Sequence, residues 1–176
     1  MSVVPQPAEF PHLAFDDLLR ANRDFVTNFR GSGLTGTAAK GLAIVTCMDS
    51  RVSPLAVVGM KAGDAKILRN AGARVTEDVL RTLVLATYLL GVDRILVMPH
   101  TDCRMAQSEE SDIHATIADQ YGVDTRSLEF RTVSDQRKAL ITDVIRIRSY
   151  PLLRDGVTVG GAIYNVTTGA LEPMDC

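Results

Sequence analysis

The sequence has 176 residues, 46% of them apolar and 23% charged, with 19 basic against 21 acidic side chains and a formal net charge of -2. That is enough chain for one domain with its own hydrophobic core and no need of disulfide staples. The near-neutral balance excludes electrostatic attraction as a reason to expect nucleic acid or an acidic membrane surface as partner.

Apolar runs stay shorter than the roughly 18 residues a membrane span requires. The first ten residues carry Pro5 and Pro7 rather than a basic segment followed by an apolar one. The expectation is therefore a cytoplasmic protein without a membrane partner.

In chain order, residues 1–11 read as an extended arm with Pro5, Pro7 and Pro11. Residues 15–29 read as an amphipathic helix of imperfect period, carrying Leu18, Leu19, Phe25, Val26 and Phe29. Glycines 31 and 33 end it, and a loop too short to separate domains runs to Gly41. Residues 42–46 are short, continuous and apolar, as in a parallel strand covered on both faces. A short helix is expected within 53–60, a turn at 61–64 and a second strand at 65–69.

Thr76 is a helix cap, with Glu77 and Asp78 in the first turn. The helix to Leu90 is apolar on nearly all sides, which predicts burial within the protein or at a subunit interface, and Gly91 stops it. Residues 94–98 form a third strand. A helix follows over 111–121, a strand over 128–133 and a helix from Ser134-Asp135 to about Arg148. A β-hairpin closes the order, with strands at 157–166 and 170–172 around Thr167-Thr168-Gly169. Strands alternating with helices predict an α/β fold, a central mostly parallel β-sheet flanked by helices with a C-terminal β-hairpin. Residues 1–176 are read as a single domain.

The chemistry lies at two strand ends. Cys47, Asp49 and Arg51 follow the first strand at alternate positions, and His100 and Cys103 follow the third. Open parallel sheets place sites at the carboxyl ends of their strands. Two thiols and an imidazole form a nitrogen-and-sulfur set that suits zinc, and three protein ligands leave the fourth tetrahedral position open for water. An odd count of three cysteines argues against a disulfide framework, and the terminal Cys176 is left out of the chemistry. Zinc lowers the pKa of bound water towards about 7. An Asp49 carboxylate held by Arg51 is placed to accept the proton of that water. Released from the arginine, the same carboxylate is a fair fourth ligand and would close the site. Taken singly, each residue has a commoner structural reading: a buried thiol, a hydrogen-bonded histidine, a turn ion pair. Their joint placement at strand ends is what favours the metal.

Cys47-Met48-Asp49-Ser50-Arg51, followed 49 positions after Arg51 by His100-Thr101-Asp102-Cys103, resembles the β-class carbonic anhydrases. Arg69-Asn70-Ala71-Gly72 is similar to a segment of the same family. The likeness covers roughly residues 40–106 well and the hairpin more loosely. It implies reversible hydration of carbon dioxide to bicarbonate and a proton by a zinc-bound hydroxide, with Cys47, His100 and Cys103 as metal ligands and Asp49 and Arg51 as the catalytic gating dyad. It also implies a homodimer or a dimer of dimers, with the 1–30 segment packing on the partner subunit.

Some relatives act on carbon disulfide or carbonyl sulfide, which gives an alternative substrate class on the same scaffold. A non-catalytic zinc protein closed by Asp49 is a further alternative. The chain departs from the family pattern at Arg104, where glycine is common, and at Ala73, where asparagine is common. A glutamine usual before the Gly-Asp turn is missing from residues 58–61. Arg104 would crowd the cleft, pair with Asp102 or add positive charge. His114 is a candidate proton shuttle, although an exposed helix histidine is the more ordinary reading. Asp102 is a candidate to orient a ligand from behind, with a plain solvent-facing carboxylate as the alternative.

Overall fold

The structure is a computed structural model and describes residues 9–31 and 33–176. The arm expected over residues 1–11 falls mostly outside these. The chain divides into two compact units, one ending at Leu34 and the other spanning Thr35–Cys176. In the first, α1 (His12–Thr27) buries none of its residues, and Phe15, Leu18, Phe25 and Val26 are all substantially exposed.

The second unit holds the sheet. Its strands are β1 (Leu42–Cys47), β2 (Ala65–Asn70), β3 (Arg94–Met98), β4 (Thr158–Tyr164) and β5 (Leu171–Met174), in the order β2-β1-β3-β4-β5. The first four are mutually parallel, and β5 runs antiparallel to β4 as the second arm of the hairpin. Every residue of β1 is buried, as its unbroken apolar run requires for a central strand. The first crossover leads to one side of β1 and the next returns to the other. That reversal opens a crevice at the carboxyl ends of β1 and β3.

The two faces of β1 are read from its alternation. Ala43 and Val45 pack with Leu80 and Leu83 of α3 (Glu77–Leu89) and with Leu140, Val144 and Ile147 of α5 (Gln136–Arg148). Leu42 and Ile44 face the opposite way, with Met98, against Val57 of the short α2 (Pro54–Val57) and Met60. Burying one side chain of the Leu or Ile class contributes roughly 1.5–3 kcal/mol, so the layer on the α3–α5 face is the larger stabilising term. Thr76 caps α3 by accepting from the Val79 amide, and Asp135 caps α5 by accepting from that of Lys138. Between these two helices Arg74 Nε donates to the buried Asp143 carboxylate at 2.7 Å.

One sequence expectation changes. Residues 128–133 form no strand. The Phe130 amide donates to Glu110 at the start of α4 (Glu110–Tyr121), the Val133 amide donates to the Met105 carbonyl, and Arg131 adopts a left-handed φ of 60°. With those donors engaged elsewhere, no ladder forms. Helix α3 buries one side, through Val79, Leu80, Leu83 and Ala86, whereas Leu85, Tyr88 and Leu89 lie open on the other. No helix among the described residues is long and apolar enough to cross a membrane.

Candidate metal centre

Cys47 is the last residue of β1, and His100 lies two residues beyond β3. The β1–β3 register sets Thr46 opposite Met98, and the buried Thr46 hydroxyl ties the strands by donating to the Met98 carbonyl at 2.7 Å. From there β3 extends past its formal end: Thr101 donates to the Tyr164 carbonyl, and the Tyr164 amide donates to Pro99. His100 is thereby placed by the sheet, fully buried. A tight turn, with Asp102 at a φ of 56°, then brings Cys103 back to the same point.

The result is a group of three buried ligand atoms, from Cys47, His100 and Cys103, all within 4.8 Å of one another. Two tests of fit to a metal are met. The sulfurs of Cys47 and Cys103 stand 3.9 Å apart, close to the roughly 3.8 Å set by two zinc–sulfur bonds of about 2.3 Å at a tetrahedral angle. His100 Nδ1 lies 2.8 Å from the Thr101 carbonyl, so that nitrogen carries the proton and Nε2 presents a lone pair. Nε2 is the one buried side-chain polar atom among the described residues without a hydrogen-bond partner. A buried nitrogen left in that condition is costly unless something coordinates it. Burial pushes the Cys103 thiol up to about 11, with the neighbouring Cys47 adding to the effect. A bound cation reverses that preference by stabilising the thiolate.

Asp49 sits at the rim. Its carboxylate accepts from Arg51 twice through the side chain, at 3.0 Å from Nε and 2.8 Å from Nη2, and once from the Arg51 amide at 2.9 Å. These bonds hold it well below the usual carboxylate range, the side-chain bonds most. Oδ2 nonetheless remains 3.6 Å from His100 Nε2, within reach of the ligand cluster. Arg51 is held in turn by Asp102, at 2.7 Å from Nη1 to the carboxylate and 3.0 Å from Nη2 to the backbone carbonyl.

The predicted site residues Cys47, Asp49, Arg51, His100 and Cys103 thus come together. Of the three readings of Arg104, pairing with Asp102 does not occur, because Asp102 is taken by Arg51 and by Gln107 at 2.6 Å. Arg104 instead lines an open cleft with Met48, Ala71, Met105 and Phe130. His114 is not the exposed residue expected: its side chain is mostly buried, bonded to Thr125 at 2.8 Å and in tilted ring contact with Phe130.

Other participants were not legible in the sequence. Arg69 donates to the carbonyls of Cys47 at 2.9 Å and Asp49 at 2.6 Å, clamping the backbone of the loop from the neighbouring strand. Gln136 donates to the His100 carbonyl. Gly72, at a φ of 77°, lets the chain pass Met105, where an added Cβ would stand 3.1 Å from the methionine Cβ. The Arg-Asn-Ala-Gly segment flagged Arg69 and Gly72 as a pattern but gave no physical role to either.

The carbonic anhydrase family model matches residues 42–171, which include both ligand loops. The chain belongs to the β-carbonic anhydrase family. It is 36% identical over 162 residues to β-carbonic anhydrase 1 of Mycobacterium tuberculosis, covering 90% of this chain and 96% of that protein. A crystal structure of carbonic anhydrase from Streptococcus mutans superposes with a TM-score of 0.86 at 33% identity, covering 96% of this chain and all of that one. The carbon disulfide hydrolase of Acidithiobacillus thiooxidans is 28% identical over 152 residues, covering 75% of this chain and 76% of the hydrolase. As a member of the β-carbonic anhydrase family, this chain retains the family's α/β sheet and a Cys-His-Cys cluster compatible with a metal.

Proposed function

We propose that this protein catalyses the reversible hydration of carbon dioxide to bicarbonate and a proton, with zinc held by Cys47, His100 and Cys103 and with Asp49 and Arg51 as the gating dyad. The observation that carries the reading is the Asp49 carboxylate, held in a fork by Arg51 yet 3.6 Å from His100 Nε2. Bound zinc would supply Lewis-acid activation of water, lowering its pKa towards about 7. The remaining work falls to the chain. Asp49, kept ionised by Arg51, accepts a hydrogen bond from the attacking water and fixes the direction of its lone pair. Arg51 keeps that carboxylate from becoming a ligand. Met48, Ala71 and Phe130 give the adjoining cleft an apolar lining suited to an uncharged substrate.

Greater identity and coverage to the carbonic anhydrases than to the carbon disulfide hydrolase supports carbon dioxide over its sulfur analogues. Exposed apolar side chains along α1 support a homodimer in which the N-terminal segment packs on the partner. A reducing cytoplasm suits two adjacent thiols that must remain ligands rather than pair.

Stopped-flow hydration of carbon dioxide by the zinc-loaded protein, run beside carbon disulfide hydrolysis, tests the reading. Hydration well above the rate of the zinc-free protein is expected. Turnover of carbon disulfide alone would move the activity to the sulfur substrate, and turnover of neither would leave a closed zinc protein.

A further inference from the structure

Asp102 stands between two ligand positions, His100 and Cys103, yet its side chain turns away from the cluster and grips Arg51. We infer that Asp102 is a positioning residue, locking Arg51 in the orientation that keeps Asp49 off the metal. This rests on the gating role proposed for Asp49 and Arg51.

The geometry is specific. A guanidinium has five N–H donors in a rigid planar fork. In Arg51 four directed contacts are made: Nε and Nη2 to Asp49, Nη1 to the Asp102 carboxylate and Nη2 to the Asp102 carbonyl. The two acidic residues come from different loops, one after β1 and one after β3. The Arg51 plane is therefore fixed from both sides, and it cannot swing from Asp49 without also leaving Asp102. Asp102 is itself held: Gln107 Nε2 donates to its other carboxylate oxygen at 2.6 Å. Its left-handed φ of 56° directs both its carbonyl and its carboxylate to the same guanidinium. Aspartate accepts that backbone conformation more readily than most residues.

The competing view is an exposed ion pair with no consequence, since such pairs are often worth little. Arg51 and Asp102 are indeed about half exposed, at 46% and 57%. The difference is that this pair acts on a second equilibrium, the choice of Asp49 between arginine and metal. A small bias there is read directly as a population.

Asp102→Asn removes the charge and keeps the left-handed turn. Asp102→Gly removes the side chain at a φ that glycine adopts without strain, and serves if the first variant folds poorly. Both should retain about one zinc per chain. In crystals of the zinc-loaded variants grown at the same pH as the parent, Asp49 should rotate from Arg51 towards the metal. The ratio of rotated to held carboxylate should rise about fivefold, the size an exposed charge pair supports. kcat should fall accordingly, with KM within about twofold, because a held carboxylate affects the reacting water rather than uniform binding. Gln107→Ala should shift the ratio in the same direction by less. An Asp49 still bound to Arg51 in both Asp102 variants overturns the inference, whatever turnover does. Arg51→Ala separates the two readings. Full turnover in that variant removes the gating dyad, whereas lost turnover there with an unmoved Asp49 in the Asp102 variants removes only Asp102.

Discussion

Two neighbouring regions of the site are built on different principles. The candidate ligands Cys47, His100 and Cys103 are buried to 4% exposure or less and are placed by the sheet. One ends β1, another lies on the extension of β3, and the third returns through a single tight turn. The Asp49–Arg51–Asp102 chain lies at the rim, with Arg51 46% exposed, and is placed by charged hydrogen bonds between loops. Moving a ligand requires disturbing the core, whereas moving Asp49 requires only that a carboxylate rotate away from its partner. The lesson is a division of labour: the rigid part fixes where the three candidate ligand atoms converge, and the adjustable part is where the proposed gate lies.

Breaking the rigid part should have the largest effect. His100→Ala leaves two thiols and no nitrogen ligand. Zinc affinity should fall by well over about 100-fold, beyond the loss that follows removal of an outer hydrogen-bond partner. Competition against a chelating dye measures it. Arg69→Ala tests the support beneath the ligands, because it frees the Cys47 and Asp49 carbonyls while leaving all three ligands in place. A loss of about tenfold in zinc affinity is expected, at the lower end for such partners. An unchanged affinity would show that the sheet alone fixes the loop.

Gly72→Ala sharpens the comparison from the side of stability. A left-handed residue with a Cβ costs about 1–2 kcal/mol, and here the added carbon would also press on Met105, whose Cβ is 3.1 Å away. The thermal midpoint should drop by roughly 5 °C, read by circular dichroism. A variant as stable as the parent would mean the segment shifts freely.

The smallest effect concerns pH. In the zinc-free protein burial raises the Cys103 thiol from 9.0 to about 11, so the folded state holds its proton over a range where the unfolded chain has released it. That contribution to stability is complete below pH 9 and is lost as pH rises to about 11. Denaturant midpoints of the zinc-free protein should decline across that window. The decline should be weaker in the zinc-loaded protein, where a bound cation would already hold Cys103 as the thiolate. Equal slopes would argue against Cys103 as a ligand.

The same division explains what the sequence disclosed. Buried strands and capped helices were legible because apolar period and capping chemistry are local: β1, β3, α3 and α5 lie within a residue or two of their expected bounds. The Cys-His-Cys cluster was legible because chemically distinctive residues follow two recognisable strands. What escaped was the support. Arg69 reaches the Cys47 carbonyl across 22 positions, and Arg51 reaches Asp102 across 51. A guanidinium bonded to a carbonyl leaves no local pattern to read. The expected strand at 128–133 failed for a related reason, since its amides are claimed by Glu110 and by the Met105 carbonyl from distant parts of the chain.

The central claim is that a metal site fixed by the sheet is kept open and active by a carboxylate held on Arg51. The most direct measurement is stopped-flow carbon dioxide hydration by the Arg51→Ala variant, with zinc content determined on the same sample. The prediction is about one zinc per chain and a loss of hydration of roughly 100-fold or more, the scale on which a positioned proton acceptor contributes. Parental turnover by a fully zinc-loaded variant would contradict it.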